Sequence, residues 1–235
     1  MKKLAILAAV LMCLASMWSA TAQAAFIYWT DWTSQTAGNP GSASGTILLP
    51  SALLPSAITV TYSGDVSNDS HGSWQPASTF TKDGDVDNAP SGNNNVTLNG
   101  TYSGLYTLSF STPVINPVMA ILSLGGNPGS AGMKFTYPFT ILKYGPNYSY
   151  SESPGTLTID SSNILWGNGG NGIIQFSGTY SSLSWYAVNA EYWYMFTVGA
   201  PAAVPLPPSV FLLGSALAGL GLLHRKCSLK KVSRT

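Results

Sequence analysis

The chain has 235 residues, and only 8% of them are charged, with ten Lys and Arg against nine Asp and Glu. Seven of the basic residues lie in the two terminal segments, so residues 25–203 hold three basic against nine acidic side chains and carry a net charge near −6. An acidic body of one-domain size without a basic patch argues against nucleic acids and anionic lipids as partners. Cys13 and Cys227 both lie in the terminal segments, so the body contains neither a disulfide nor a thiol.

The first 24 residues have the pattern of a secretory signal peptide. Lys2 and Lys3 precede an apolar stretch, and Ala22-Gln23-Ala24 supplies the small residues expected at a cleavage site. Signal peptidase is therefore an expected partner, with the mature protein beginning near Ala25. An uncleaved anchor helix is the alternative, although the apolar stretch is short for a membrane span.

Residues 25–198 predict a single all-β domain, a jelly-roll-like antiparallel β-sandwich, because helix formers are scarce and apolar residues alternate with Ser and Thr. The alternation is explicit at 58–62, 106–110 and 183–187, and Tyr192, Tyr194, Phe196 and Val198 are expected to share one face. Further strands are predicted at 26–32, 45–49, 95–99, 117–124, 133–141, 155–160 and 172–177. A closed barrel is the alternative fold.

Two segments are interpreted as loops, residues 34–45 and the long, aspartate-rich residues 63–94. The second contains Asp83, Asp85 and Asp87 around Gly84, an arrangement in which alternating carboxylates can converge on Ca²⁺. The distal Glu of an EF-hand is missing, so that specific loop is not predicted. The alternative is an acidic surface turn without a ligand. No other cofactor is expected.

The body shows no recognisable catalytic motif. His71 is its only histidine, and no Gly-x-Ser-x-Gly nucleophile elbow is present. Glycoside hydrolysis needs two carboxylic acids held across a cleft, and Glu152, Asp160 and Glu191 are the candidates in or near strands. Nothing in the sequence brings two of them together. We therefore predict no catalytic residues and no enzymatic activity.

Aromatic side chains are the better candidates for a binding role, because their faces can stack on sugar rings. If Tyr194 and Phe196 face the core, Trp193 and Met195 point the other way, which makes Trp193 a candidate carbohydrate contact. Trp185, in a neighbouring predicted strand, is a second candidate. Packing in the core is the alternative for both tryptophans.

Three segments follow the predicted domain. Residues 199–209 form a Pro- and Ala-rich linker, residues 210–223 are apolar, and residues 224–235 form a basic tail. Fourteen apolar residues are fewer than the ~20 that usually cross a bilayer. The basic tail would hold the far end in the cytoplasm. A permanent anchor and a helix that is later removed both remain open.

The C-terminal segments resemble the PEP-CTERM sorting domain of Gram-negative bacteria. The resemblance rests on Val204-Pro205-Leu206-Pro207-Pro208, on the Gly-, Ala- and Leu-rich stretch after it, and on Arg225-Lys226. Pro205-Leu206-Pro207 stands where the family's usual core reads Pro-Glu-Pro. The resemblance implies a transmembrane sorting helix, processing by an exosortase, an inner-membrane intermediate, and export to the cell surface or extracellular matrix.

These observations lead to one expected role. The chain is predicted to be an exported surface or matrix protein with a structural or adhesive function associated with exopolysaccharide or biofilm. Its expected partners are signal peptidase, exosortase and the exopolysaccharide, with contact to the membrane through the C-terminal helix. The alternative is a secreted carbohydrate-active hydrolase or a carbohydrate-binding module.

Overall fold

The computed structural model describes residues 25–50, 56–68, 72–92, 94–126, 130–146 and 155–202. They belong to a compact unit that runs from Ala24 to Ala203. The predicted signal peptide, the sorting motif, the C-terminal helix and the basic tail lie outside the described residues, as do His71 and Glu152. Among the helical elements of the described part, none is long and apolar enough to cross a membrane.

The described residues are built from β-strands, which confirms the all-β prediction; they contain no α-helix and one 3-10 turn, Ala77–Thr79. Each strand pairs antiparallel with its neighbours. The strands are β1 Ile27–Trp29, β2 Asp31–Thr36, β3 Gly38–Leu48, β4 Ala57–Val66, β5 Val96–Leu98, β6 Tyr106–Ile115, β7 Val118–Leu124, β8 Ala131–Phe135, β9 Thr140–Gly145, β10 Thr156–Ile159, β11 Ile164–Asn168, β12 Gly170–Gln175, β13 Thr179–Ala187 and β14 Tyr194–Pro201.

The strands form two sheets arranged as a sandwich. One sheet has six strands in the order β1-β14-β7-β12-β9, with β5 also paired to β14. The other has eight strands in the order β10-β11-β8-β13-β6-β4-β3-β2. From β6 onward the chain passes repeatedly between the sheets. The predicted strand at 133–141 is therefore wrong as one element, because β8 and β9 lie in different sheets.

The core between the sheets is aromatic and follows the predicted alternation. Successive side chains of a strand point to opposite faces, so Tyr62, Tyr106 and Trp185 all point inward and are buried. The Trp185 ring lies 5.9 Å from Tyr62, 5.7 Å from Tyr106 and 5.4 Å from Phe196, measured between ring centroids. Each such ring pair adds roughly 0.5–1.5 kcal/mol beyond the area that it buries.

The outer face of the six-stranded sheet is covered by residues 72–92, which we call the cover segment. Its Trp74, Phe80 and Val86 form a second apolar cluster with side chains from that sheet, including Met195. Asn88 fastens the segment to β1, since its side chain accepts from Ile27 N at 2.7 Å and donates to Ile27 O at 2.9 Å. The strands β7 and β14 in the middle of this sheet are thus buried on both faces.

The cover segment corrects one sequence expectation. Met195 was expected to point to solvent, but it is buried because the cover segment packs over that face of β14. The described residues of the loop predicted at 63–94 are mostly outside strands, as expected. The loop is not fully solvated, however, because several of its side chains pack in the second apolar cluster.

Three further expectations differ from the structure. Residues 34–45, expected to be a loop, form most of the hairpin of β2 and β3. Tyr192, expected on the core face of the last strand, lies before β14 and is 75% exposed. Residues 199–201, expected to open the linker, are the end of β14 and pair with β1.

Candidate functional site

The outer face of the eight-stranded sheet carries a regular array of hydroxyl side chains. It arises because the inward positions of four neighbouring strands are apolar and the alternate positions are Ser or Thr. We call this array the hydroxyl grid. Its members are Ser42, Ser44 and Thr46 on β3, Thr59, Thr61 and Ser63 on β4, Thr107, Ser109 and Ser111 on β6, and Ser182 and Ser184 on β13.

The strand register aligns the hydroxyl grid into rows. Ser44 pairs with Thr61, Thr61 with Ser109, and Ser109 with Ser182. A second row, aligned by the same ladders, runs from Ser42 through Ser63 and Thr107 to Ser184. Neighbouring strands lie about 4.8 Å apart, and alternate residues of a strand about 6.7 Å apart. The hydroxyl grid is therefore a two-dimensional lattice of neutral donors and acceptors.

The chemistry of the hydroxyl grid is that of a neutral, hydrogen-bonding surface. Each hydroxyl both donates and accepts, so it can exchange water for the hydroxyl of a ligand at little net electrostatic cost. None of its positions is charged, although charged side chains are the usual occupants of a solvated sheet face. The surface suits a ligand that is itself uncharged and rich in hydroxyl groups.

The two tryptophans predicted to contact carbohydrate occupy different environments. The prediction for Trp185 is wrong, because its side chain is 0% exposed in the core between the sheets and no ligand can reach it. Trp193 is partly buried against the cluster of the cover segment. Its role as a sugar contact stays a prediction.

The three aspartates of the proposed calcium loop are exposed around a tight turn. Lys82 N donates to Val86 O at 2.9 Å, and Asp85 N donates to Lys82 O at 2.9 Å. Val86, between Asp85 and Asp87, points into the second apolar cluster. Within the described ranges, no three His, Cys, Asp or Glu side chains are grouped so that they could hold a metal ion. The structure therefore does not bring Asp83, Asp85 and Asp87 together as a ligand set.

Glu191 is a buried carboxyl group that anchors a turn. Its Oε2 accepts a hydrogen bond from Gly125 N at 2.8 Å, and its Oε1 is buried without a partner. Burial raises the pKa of Glu191 from 4.5 to about 8, and the Gly125 hydrogen bond lowers it only in part. Glu191 is therefore protonated at neutral pH and holds the chain before β14 against the end of β7.

Asp160 has a different environment, at the turn between β10 and β11. Its Oδ2 accepts from Trp166 Nε1 at 2.9 Å, and its Oδ1 accepts from Ser162 N at 2.8 Å and Ile164 N at 3.0 Å. These bonds, the one from Trp166 first, lower the pKa of Asp160. Asp160 and Glu191 accept these hydrogen bonds from different groups, and none of the bonds joins the two carboxyl groups.

Asp65 is a carboxylate within the core, and no sequence pattern predicted its burial. Asp65 is buried, and its Oδ2 accepts from Asn99 N at 2.8 Å and Thr101 N at 3.2 Å. Burial first, and then the charge of Asp65, raise the pKa of Tyr106 above its usual range. These bonds fix the segment that leads into β6.

A cleft of about 450 Å³ opens in the cover segment, between residues 72–77 and 89–92. Trp74, Gln75, Pro90 and Ser91 are among the residues that line it. No described residue of its lining is an acid or a histidine. Among the described residues, the lining of this cleft therefore offers no acidic or histidine side chain for general acid or base catalysis.

The sequence contained the signal for the hydroxyl grid, but only as Ser- and Thr-rich strand faces. Its regularity depends on which strands are neighbours and in which register, and both follow from tertiary pairing.

The chain was compared with protein-family models, with curated proteins and with solved structures, and none of them matches it.

Proposed function

We propose that this chain is an exported, non-enzymatic protein of the cell surface or extracellular matrix, with a structural or adhesive role in contact with exopolysaccharide. The observation that carries the proposal is the hydroxyl grid. A neutral lattice of hydroxyls is complementary to a neutral polysaccharide, which presents repeating hydroxyls along an extended chain.

The energetics favour many weak contacts over one strong site. A single hydrogen bond contributes only about 0.5–1.5 kcal/mol net, since it replaces bonds to water. A polysaccharide that lies over several rows forms many such hydrogen bonds, and each contributes to the binding free energy. Once the first contact has formed, the following ones are intramolecular and form more readily. Adhesion to a long chain is therefore the function that such a surface serves best, whereas a short sugar would bind weakly.

The placement at the cell surface is proposed from the terminal segments. Signal peptidase would cut after Ala24, and an exosortase would act near Pro205-Leu206-Pro207, as the PEP-CTERM resemblance implies. Support comes from the position of β14, which ends at Pro201 and is paired with β1, β5 and β7. The sorting segment thus follows directly on a strand that is held within the sandwich. Until it is cut, the C-terminal helix keeps the protein in the membrane.

We further propose that the sandwich is jelly-roll-like. Support comes from the passage of the chain between the two sheets at β6–β7, β7–β8, β8–β9 and β9–β10. Connections that cross from sheet to sheet are typical of Greek-key and jelly-roll sandwiches.

The adhesive role is tested by placing charge in the hydroxyl grid. The double variant Thr61→Lys, Ser109→Lys puts two adjacent ammonium groups in the middle of one row. The control, Thr140→Lys, places the same group on an exposed residue of β9 in the other sheet. Full-length protein in mild detergent is sedimented with insoluble cellulose and chitin and with dextran-coated beads.

We expect wild type and the control to bind at least one of these polysaccharides and the double variant to bind about tenfold more weakly. Equal binding by all three proteins, or binding by none, contradicts the adhesive role. The placement is tested separately by the intact mass of the protein recovered from its native host. Recovery of the uncut chain from the cytosol contradicts export and sorting.

A further inference from the structure

Trp166 lies on the same outer face as the hydroxyl grid, on β11. Its strand pairs with β8, and β8 pairs with β13, whose Ser182 and Ser184 belong to the grid. Leu165 and Gly167, its neighbours in sequence, point into the core, so Trp166 points outward. It is half-buried, although an outward tryptophan has no core to pack against.

The indole of Trp166 is fixed at one end by a hydrogen bond. Its Nε1 donates to Asp160 Oδ2 at 2.9 Å, on the β10 side of the strand. The carboxylate is itself held by the amides of Ser162 and Ile164, and its lowered pKa keeps it ionised as an acceptor at neutral pH. The polar atom of the ring thus has a rigid partner.

The other end of the indole lies over a glycine. Gly132 on β8 is the cross-strand partner of Trp166, and a Cβ added there would meet Trp166 Cε3 and Cζ3 at 3.0 Å. The benzene half of the indole therefore occupies the space that a side chain at position 132 would take. The ring spans the sheet surface from β8 to the β10–β11 turn, held at both ends.

The surroundings of the ring are mixed, with apolar and polar groups side by side. Tyr186 is 45% exposed and pairs across the ladder with Lys134, which in turn pairs with Ile164. Lys134 lies two residues after Gly132 on the same outward face of β8, and its charge contributes to the low pKa of Asp160. An aromatic ring with a donor and an acceptor at its rim can bind a sugar by its apolar face and its hydroxyls together.

We propose that Trp166 is a stacking platform for one pyranose ring of a neutral polysaccharide whose chain continues over the hydroxyl grid. The inference rests on the proposed function for the class of ligand, and it adds the residue that sets the position of the chain. Lys134 and Asp160 bind hydroxyls at the edge of the stacked sugar. Because the indole is already fixed, stacking loses little rotamer entropy.

A protein partner fits this patch less well than a sugar does. Hydrophobic docking between proteins favours a continuous apolar centre without charge. Here the ring has the Asp160 carboxylate at its rim and Lys134 on the neighbouring strand, and the hydroxyl grid lies on the same face of the sheet. The pattern matches the alternating C–H and O–H surfaces of a pyranose.

The platform is tested with Trp166→Ala, Trp166→Phe and the control Tyr144→Ala. Tyr144 is half-exposed on β9, in the other sheet, so its variant removes a surface ring away from the patch. Full-length proteins in mild detergent are sedimented with cellulose, chitin and dextran-coated beads, and their unfolding is measured in parallel. We expect Trp166→Ala to bind about tenfold more weakly, from a stacking contribution of the size of an aromatic pair. Phe is expected to restore part of the binding, and Tyr144→Ala to bind like wild type.

The outcomes separate the platform from the proposed function. If Trp166→Ala binds like wild type while Thr61→Lys, Ser109→Lys binds weakly, the platform is overturned and the adhesive role stands. If only the Trp166 variants lose binding, the platform stands and the hydroxyl grid is overturned as the carrier of adhesion. If wild type binds none of the three polysaccharides, both are overturned.

Discussion

The buried carboxyl group of Glu191 makes the stability of the fold depend on pH. In the folded chain its pKa is raised to about 8, whereas an unfolded chain exposes the group with a pKa of about 4.3. Between these two values the folded protein holds one more proton than the unfolded one. Stability is therefore highest below the unfolded pKa and falls as the pH rises towards 8.

The slope of that loss follows from linkage. One extra bound proton changes the free energy of unfolding by about 1.4 kcal/mol for each pH unit. From pH 5 to pH 8 the contribution of Glu191 is thus a loss of about 4 kcal/mol, a large share of the 5–15 kcal/mol typical of a domain. The value is an upper bound, since part of the side chain is accessible to water.

The variant Glu191→Gln removes the ionisable carboxyl group and keeps a side chain of nearly the same size and shape. Its amide oxygen can still accept from Gly125 N, which the carboxyl group does at 2.8 Å. We expect the stability of the variant relative to wild type to increase by up to about 4 kcal/mol between pH 5 and pH 8. Urea denaturation at each pH unit from 5 to 8 measures the difference.

Asp83→Asn is the matched control, because it removes one acid from an exposed turn and so accounts for the change in net charge. Its stability curve should run parallel to that of wild type. Parallel curves for wild type and Glu191→Gln over the same range would refute the assignment of a buried, protonated Glu191.

Two further predictions concern the two apolar clusters. Trp185→Ala should lower the free energy of unfolding by about 3–5 kcal/mol in urea, because it leaves a cavity among the rings of the central core, and a loss below 1 kcal/mol would contradict that packing. Val86→Asp places an unpaired charge in the second cluster, so the cover segment should detach. Limited proteolysis should then cut within residues 72–92 while the strands stay intact, whereas Asp85→Asn, at the exposed neighbour, should be cut no faster than wild type.

The sequence predicted strands best where burial alternates along one chain. In Ile58, Val60 and Tyr62 the period of two survives into the structure, because one face meets the core and the other meets water. The same alternation gave the wrong environment for Met195, because a strand that is buried on both faces has no polar side to show which face meets water. The second face is buried by a segment whose Trp74 and Phe80 show no periodicity, so nothing local marks them as core residues.

Composition misled the interpretation of the first hairpin. Residues 38–45 are rich in Gly, Ser and Pro, which are typical of loops, yet they form the first part of β3. Backbone pairing with β2 and β4 holds this stretch in extended form, and small side chains leave room for it. Tertiary pairing overrides local propensity in such strands.

The hydroxyl grid could also be predicted from the sequence only in part. The Ser and Thr residues of the hydroxyl grid are visible in the sequence as outward positions, but their rows exist only once β3, β4, β6 and β13 are neighbours. Trp166 had no distinguishing pattern in the sequence. Its position depends on Gly132, which lies 34 residues earlier in the chain and faces it across the ladder.

The last strand of the sandwich has a mechanical consequence. β14 lies between β1 and β7, and the chain leaves it directly for the carboxyl-terminal segment. Ladder bonds run perpendicular to a strand, so tension applied along β14 from its carboxyl end loads its bonds to both neighbours in shear, and they must break together instead of one after another. A tether made at that end therefore pulls on a strand whose ladder bonds on both sides resist together.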